Sequence, residues 1–244
     1  MRQAPPALLH LECLESREVP AGMVETFDST VPPLLPDNWS SSSEPAATFH
    51  TASSAGINGS IGLFSSASSS RSGGWTGPQI ALPADTAAAV SVLASTLAPV
   101  YVFVRGVNMD TSTPSYLAVA ITRGLNVEAL EVIDGQVTVL GKVSNIPAAY
   151  LSNRWVQVWL RPQGTTLQVQ VVRLDNGQYL TAQGTWSNTE TSALTVTTRW
   201  RPMTGTVGIG RLPRYTGDVA IDDFLWQIPQ PPGIFENFDR VAEG

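Results

Sequence analysis

The sequence predicts an all-β fold, two antiparallel sheets packed as a sandwich, and three observations carry that prediction. Short runs rich in β-branched and aromatic residues recur every 10–15 residues or so, and several alternate apolar with polar. Turn residues, chiefly Gly, Pro, Asn and Asp, separate these runs. A helical apolar period is missing nearly throughout, so the sheets have each other, not helices, to pack against.

The elements follow in order. Val24-Glu25-Thr26-Phe27-Asp28 is a short strand, and a turn containing Pro32, Pro33 and Pro36 leads to Trp39. The Ser-rich stretch 40–72 holds short apolar bursts at Ala47-Thr48-Phe49 and Ser60-Ile61-Gly62-Leu63-Phe64, which read as edge strands because Phe49, Leu63, Phe64 and Trp75 need burial. Ala84 to Thr96 is the one stretch that suits a short helix. Val100–Gly106 and Tyr116–Ile121 are strands, and Thr122–Asn126 is a turn. Val127–Val132 and Gln136–Leu140 flank Asp134-Gly135, a strong hairpin signal. Arg154–Leu160 and Thr166–Val172 form a second hairpin around Gln163-Gly164, and Thr206–Gly210 and Asp218–Trp226 complete the set.

At 244 residues, 43% of them hydrophobic, the chain is long enough to bury a sizeable core. Only 14% are charged, with a net charge of −6, and Lys142 is the sole lysine. A phosphate-backbone binder needs a basic footprint, so nucleic acid is excluded as a partner. Cys13 is the single cysteine, which rules out an intrachain disulfide and a thiolate metal cluster. No apolar run reaches the length of a membrane-spanning helix.

Three regions are expected: an N-terminal leader over 1–22, one folded domain over 23–228, and a Pro-rich linker opening a further repeat over 229–244. Leu11-Glu12-Cys13-Leu14-Glu15-Ser16-Arg17-Glu18-Val19-Pro20-Ala21 resembles the leader at the start of many large exported proteins of planctomycete bacteria, which implies a secreted or cell-surface location. Phe235-Glu236-Asn237-Phe238-Asp239-Arg240 echoes Val24-Glu25-Thr26-Phe27-Asp28-Ser29, as the start of a second tandem copy would.

The motifs Arg154–Leu160, Leu167–Val171, Gly205–Gly210 and Ala220-Ile221-Asp222-Asp223-Phe224, in this order, resemble the concanavalin A-like (laminin G-like) jelly-roll domains of lectins and glucanases. The resemblance spans roughly residues 24–228. It implies a non-catalytic carbohydrate-binding or adhesion module, with a purely structural spacer and a glycoside hydrolase as the other readings. Glycans or other surface proteins are the implied partners. It also implies a structural calcium near the chain ends, with Asp28, Asp222 and Asp223 as the candidate ligands, since a hard cation takes oxygen donors.

Sugars bind by stacking C–H faces on aromatic rings while amides and carboxylates take the hydroxyls. Trp155, Gln157 and Trp159 share one strand face, opposite Val156, Val158 and Leu160. If the valine face is core, Gln157 and Trp159 look outward as candidate ligand contacts, with Trp75, Tyr116, Tyr179 and Trp186 as further platforms. A retaining hydrolase needs two carboxylates facing one cleft. The nearest pair, Glu128 and Glu131, is three apart and points to opposite faces of a strand. His50, the only histidine of the domain, lacks a Gly-x-Ser-x-Gly elbow or a zinc-spaced partner and is expected to be a partly exposed strand residue.

Overall fold

The computed structural model describes residues 22–43, 48–66, 73–143, 151–213 and 216–228. The leader motif and the C-terminal echo lie outside these residues.

The strands are, in chain order, β1 (Gly22–Glu25), β2 (Trp39–Ser43), β3 (Phe49–Ala52), β4 (Gly62–Ser65), β5 (Gly74–Pro78) and β6 (Leu82–Pro83). Next come β7 (Ala87–Leu93), β8 (Val100–Val107), β9 (Ser115–Ile121), β10 (Val127–Ile133), β11 (Gln136–Val143) and β12 (Trp155–Gln163). The last are β13 (Thr166–Arg173), β14 (Tyr179–Leu180), β15 (Trp186–Ser187), β16 (Leu194–Thr197), β17 (Thr204–Arg211) and β18 (Val219–Gln227). They form two antiparallel sheets. A ten-stranded sheet has the order β15-β14-β13-β12-β7-β18-β4-β3, with β1 on β18 and β16 on β13. An eight-stranded sheet has the order β11-β10-β9-β8-β17-β5-β2, with β6 on β17.

Alternation decides which side of each strand is core. Val156, Val158 and Leu160 point inward from β12, and Val90 and Val92 from β7, to meet Val102, Val104, Leu117 and Val119 of the other sheet. Each such side chain contributes about 1.5–3 kcal/mol of burial. Phe27 and Phe224 close the core around Trp39, edge-on at 5.5 and 5.3 Å between ring centroids. The Asp134-Gly135 turn takes positive φ at both residues (50° and 78°), and it joins β10 to β11 in the register that this dipeptide favours.

The stretch 84–96 is where the sequence reading fails: it is strand β7, not a helix, at the centre of the larger sheet. Its alanines have a packing reason. Ala89 lies opposite both Trp159 and Leu225, and Ala88 opposite Trp226, so small residues make room for bulky partners on the neighbouring strands. Tertiary fit overrides alanine's helical preference.

Strand β18 carries a bulge between Asp222 and Leu225, with Asp223 in the left-handed region at φ 47°. The extra residue resets the alternation, so that Ile221 and Phe224 both face the core. Arg105 sits at a register shift in β8 with φ 57°, and its side chain is fully buried. Its guanidinium donates to Ala84 O, Trp200 O, Gly164 O and Asp85 Oδ1 at 2.7–2.8 Å, tying three loops together.

Candidate functional site

A cavity of about 640 Å³ forms a groove on the outer face of the ten-stranded sheet. Strand pairing builds its floor. Trp155 of β12 lies opposite Leu93 of β7, Ala220 of β18 opposite Phe64 of β4, and Phe64 opposite His50 of β3. The register Ile221↔Val92 sets Ala220 beside Leu93 in the same row. Five outward side chains thus run straight across five strands: Trp155, Leu93, Ala220, Phe64 and His50, all of them lining the groove. Their inward neighbours Val156, Val92, Ile221, Leu63 and Phe49 belong to the core, which fixes the outward direction. His50 and Phe64 meet edge to face at 5.6 Å.

The loop between β3 and β4 folds over the next row and forms one wall, through Ser53, Ser54, Gly56 and Asn58. Asp222 anchors it. One carboxylate oxygen, Oδ2, accepts the Ile57 amide at 2.8 Å and the Ser60 hydroxyl at 3.2 Å, while Oδ1 accepts the Asp223 amide at 2.9 Å. Gly62 passes under the loop, where a Cβ would lie 2.6 Å from the Gly56 nitrogen. The opposite side carries Ser95 and Asp218, which follow β7 and precede β18. Asp218 is the one carboxylate among the described lining residues, and no arginine or lysine is among them. Its charge acts on Arg211, which is 1% exposed and donates to Ser65 O.

The six ligand contacts expected from sequence do not converge. Gln157 and Trp159 do face outward beside Trp155, as the valine-core argument requires. Trp159, however, stands four residues from Trp155 along β12, about 13 Å. Its indole N–H is taken by Gln157 Oε1 at 2.8 Å, and the Arg161 guanidinium lies 4.5 Å from the ring centroid. Tyr179 is half-buried opposite Val172 on the flank of the same sheet. Trp186 lies opposite the fully buried Leu180 and packs against the core.

Trp75 and Tyr116 belong to the other sheet. They join Tyr101, Phe103, Leu130 and Val132 in a second apolar cluster on its outer face. Tyr101 and Tyr116 stack at 5.7 Å with planes 8° apart, and Trp75 donates to Met109 O at 3.0 Å. Burial pushes the Tyr101 hydroxyl well above tyrosine's ordinary pKa, with Tyr116 adding to the shift. These rings are less than a tenth exposed and serve as packing. Trp75 also borders a smaller cavity of about 480 Å³ with Gln79, Asn108 and Thr206.

Asp28, Asp222 and Asp223 come to one region of the fold, but the protein's own donors use them. Besides the bonds to Asp222, Asp28 Oδ1 accepts the Ile61 amide at 3.2 Å. Burial raises the pKa of both Asp222 and Asp223, and the Asp28 charge pushes Asp223 up further. Among the described residues no three Asp, Glu, His or Cys side chains form a metal-ligand set. A carboxylate whose lone pairs already face three donors is a poor fit for a calcium shell.

Glu128 and Glu131 also have other partners. Glu128 pairs with Lys142 at 3.7 Å on the outer face. Glu131 accepts the Thr198 hydroxyl and the Arg199 and Trp200 amides on the other face. His50 is a half-exposed strand residue, as expected, yet it ends the groove's aromatic row. No helix among the described residues is long and apolar enough to cross a membrane.

No family model and no curated protein sequence matches the chain. Solved structures do. A carbohydrate-binding module, CBM66 from Bacillus subtilis, superposes with a TM-score of 0.52 at 7% identity, over 78% of this chain and 96% of that one. The exoplasmic/lumenal domain of VIP36, bound to Ca²⁺ and Man3GlcNAc, gives 0.53 at 11% identity, over 84% and 89%. A β-glucanase from Bacillus licheniformis gives 0.51 at 12% identity, over 86% and 98%. A carbohydrate-binding module, a glycan-bound lumenal domain and a β-glucanase thus share this architecture, and the chain has the same two-sheet antiparallel jelly-roll fold.

Proposed function

We propose that this protein is a non-catalytic carbohydrate-binding module, secreted or held at a cell surface, whose glycan site is the groove across the ten-stranded sheet. The observation that carries the reading is the aligned row Trp155–Leu93–Ala220–Phe64–His50 beneath a wall of hydroxyls and amides. An aromatic floor takes the apolar faces of sugar rings, while Ser53, Ser54, Asn58, Ser95 and Asp218 offer partners for hydroxyls. The carbohydrate-binding module and the glycan-bound lumenal domain among the structural neighbours support the same use of the fold. That Asp218 is the one carboxylate among the described lining residues favours binding over hydrolysis, because glycoside hydrolysis uses two. The export-type leader supports the location.

A glycan-array screen of the full chain beside Trp155→Ala tests this. Saturable binding to a defined glycan class, weakened in the variant, is expected. Silence of a well-folded wild-type sample would refute the reading and leave a structural spacer. Release of reducing ends from a bound glycan would overturn the non-catalytic assignment.

A further inference from the structure

From the spacing and charge of the groove we infer that its ligand is a linear, neutral oligosaccharide lying across the strands, with its outer rings on separate aromatic platforms. This rests on the carbohydrate-binding reading above and adds the length, direction and charge class of the glycan.

Length follows from strand spacing. From β12 to β4 the sheet steps β12-β7-β18-β4, three spacings that total about 14 Å, so Trp155 and Phe64 are too far apart for one pyranose ring. His50, one strand further, extends the second platform through its edge contact with Phe64. Between the platforms the floor drops to Ala220 and Leu93. A ligand using both ends needs intervening sugar units, and these pass over that low centre.

Direction follows from the walls. The β3–β4 loop, pinned by Asp222, blocks one side of the row, while Ser95 and Asp218 line the other. A chain running along the strands would collide with that loop. A chain running across them meets Asn58 and the serines near one platform and Asp218 near the middle.

Charge follows from the lining. Asp218 brings a carboxylate, and no guanidinium or ammonium is among the described lining residues to receive an acidic sugar. An ionised carboxylate accepts hydroxyl hydrogens and repels uronates and sulfates.

The test is calorimetric titration of the full chain with gluco-, xylo- and manno-oligosaccharides of one to six units, beside oligogalacturonate as the anionic probe. Affinity should climb from the single sugar to a plateau at an intermediate length. Trp155→Ala and Phe64→Ala should each lower the affinity of the longest neutral ligand about tenfold, with unchanged melting temperatures. Equal affinity for a single sugar and a hexamer, with only one aromatic mattering, would overturn the length inference and leave the carbohydrate reading standing. Tighter binding of oligogalacturonate would overturn the charge inference in the same way. Failure of every probe, neutral and acidic, would remove the carbohydrate reading itself.

Discussion

Replacing Asp222 by alanine should release the groove wall before it unfolds the protein. The carboxylate is 3% exposed and holds the β3–β4 loop by the Ile57 amide and the Ser60 hydroxyl. Hydrogen bonds to a charged acceptor contribute about 1.5–3 kcal/mol each. Burial of the charge offsets part of this, and the same burial raises the Asp222 pKa against the pull of its hydrogen bonds. A net loop-anchoring loss of about 2 kcal/mol is therefore expected, equal to a roughly 30-fold fall in exchange protection of the Ile57 amide. Asp222→Asn keeps one acceptor oxygen for both loop donors and should retain most of that protection. The pH dependence has a definite sign. Because the folded pKa is raised, the folded state holds a proton that the unfolded chain has already released. This group's contribution is fullest below the unfolded value of 3.8 and is lost as pH rises through the folded one. The asparagine variant should lose that component of the slope. Amide exchange by NMR, with urea unfolding at two pH values, measures both effects. Wild-type protection of Ile57 in the alanine variant would refute the claim that Asp222 holds the wall.

Other substitutions test the frame around the site. Arg105→Ala should cost about 3–5 kcal/mol in urea unfolding, because it leaves Ala84, Trp200 and Gly164 carbonyls and Asp85 without their shared donor; a loss under about 1 kcal/mol would contradict the hub. Gly62→Ala should lower glycan affinity with a smaller change in stability, since its Cβ would meet the Gly56 backbone under the wall. Gly208→Ala should destabilise by about 1–3 kcal/mol, because a Cβ there would lie 2.5 Å from Thr76 O and 2.7 Å from the Phe103 ring. With the pKa of both Tyr101 and Tyr116 raised, stability should fall as pH climbs above the ordinary value of 10.0. Tyr101→Phe should flatten that fall, which an absorbance-monitored alkaline titration would show.

Much of this architecture was legible in the sequence because it depends on local rules. Alternation in Trp155–Leu160 told the core face from the outer face, and Asp134-Gly135 marked its hairpin. Two features escaped because their causes are non-local. The alanines of β7 resemble a helix until Trp159 and Trp226 are known to lie opposite them. The Asp222–Asp223 pair looks like plain alternation, with one residue in and one out. The bulge instead keeps Asp222 outward beneath the loop and turns Phe224 into the core.

The candidate site shows where such reading stops. Alternation assigns a side chain to a face, but only register assigns it to a row. Trp155 and Trp159 share a face and differ in row, and the rows have opposite fates. Trp159 is engaged by Gln157 and Arg161, whereas Trp155 opens onto the groove. The rest of that row comes from residues 50, 64, 93 and 220, brought together by the pairings β3·β4, β4·β18, β18·β7 and β7·β12. No local pattern encodes that order, since it is a property of how the sheet is wound. A tryptophan-rich strand could indicate which surface to probe, and the winding of the sheet decides which of its tryptophans a ligand can reach.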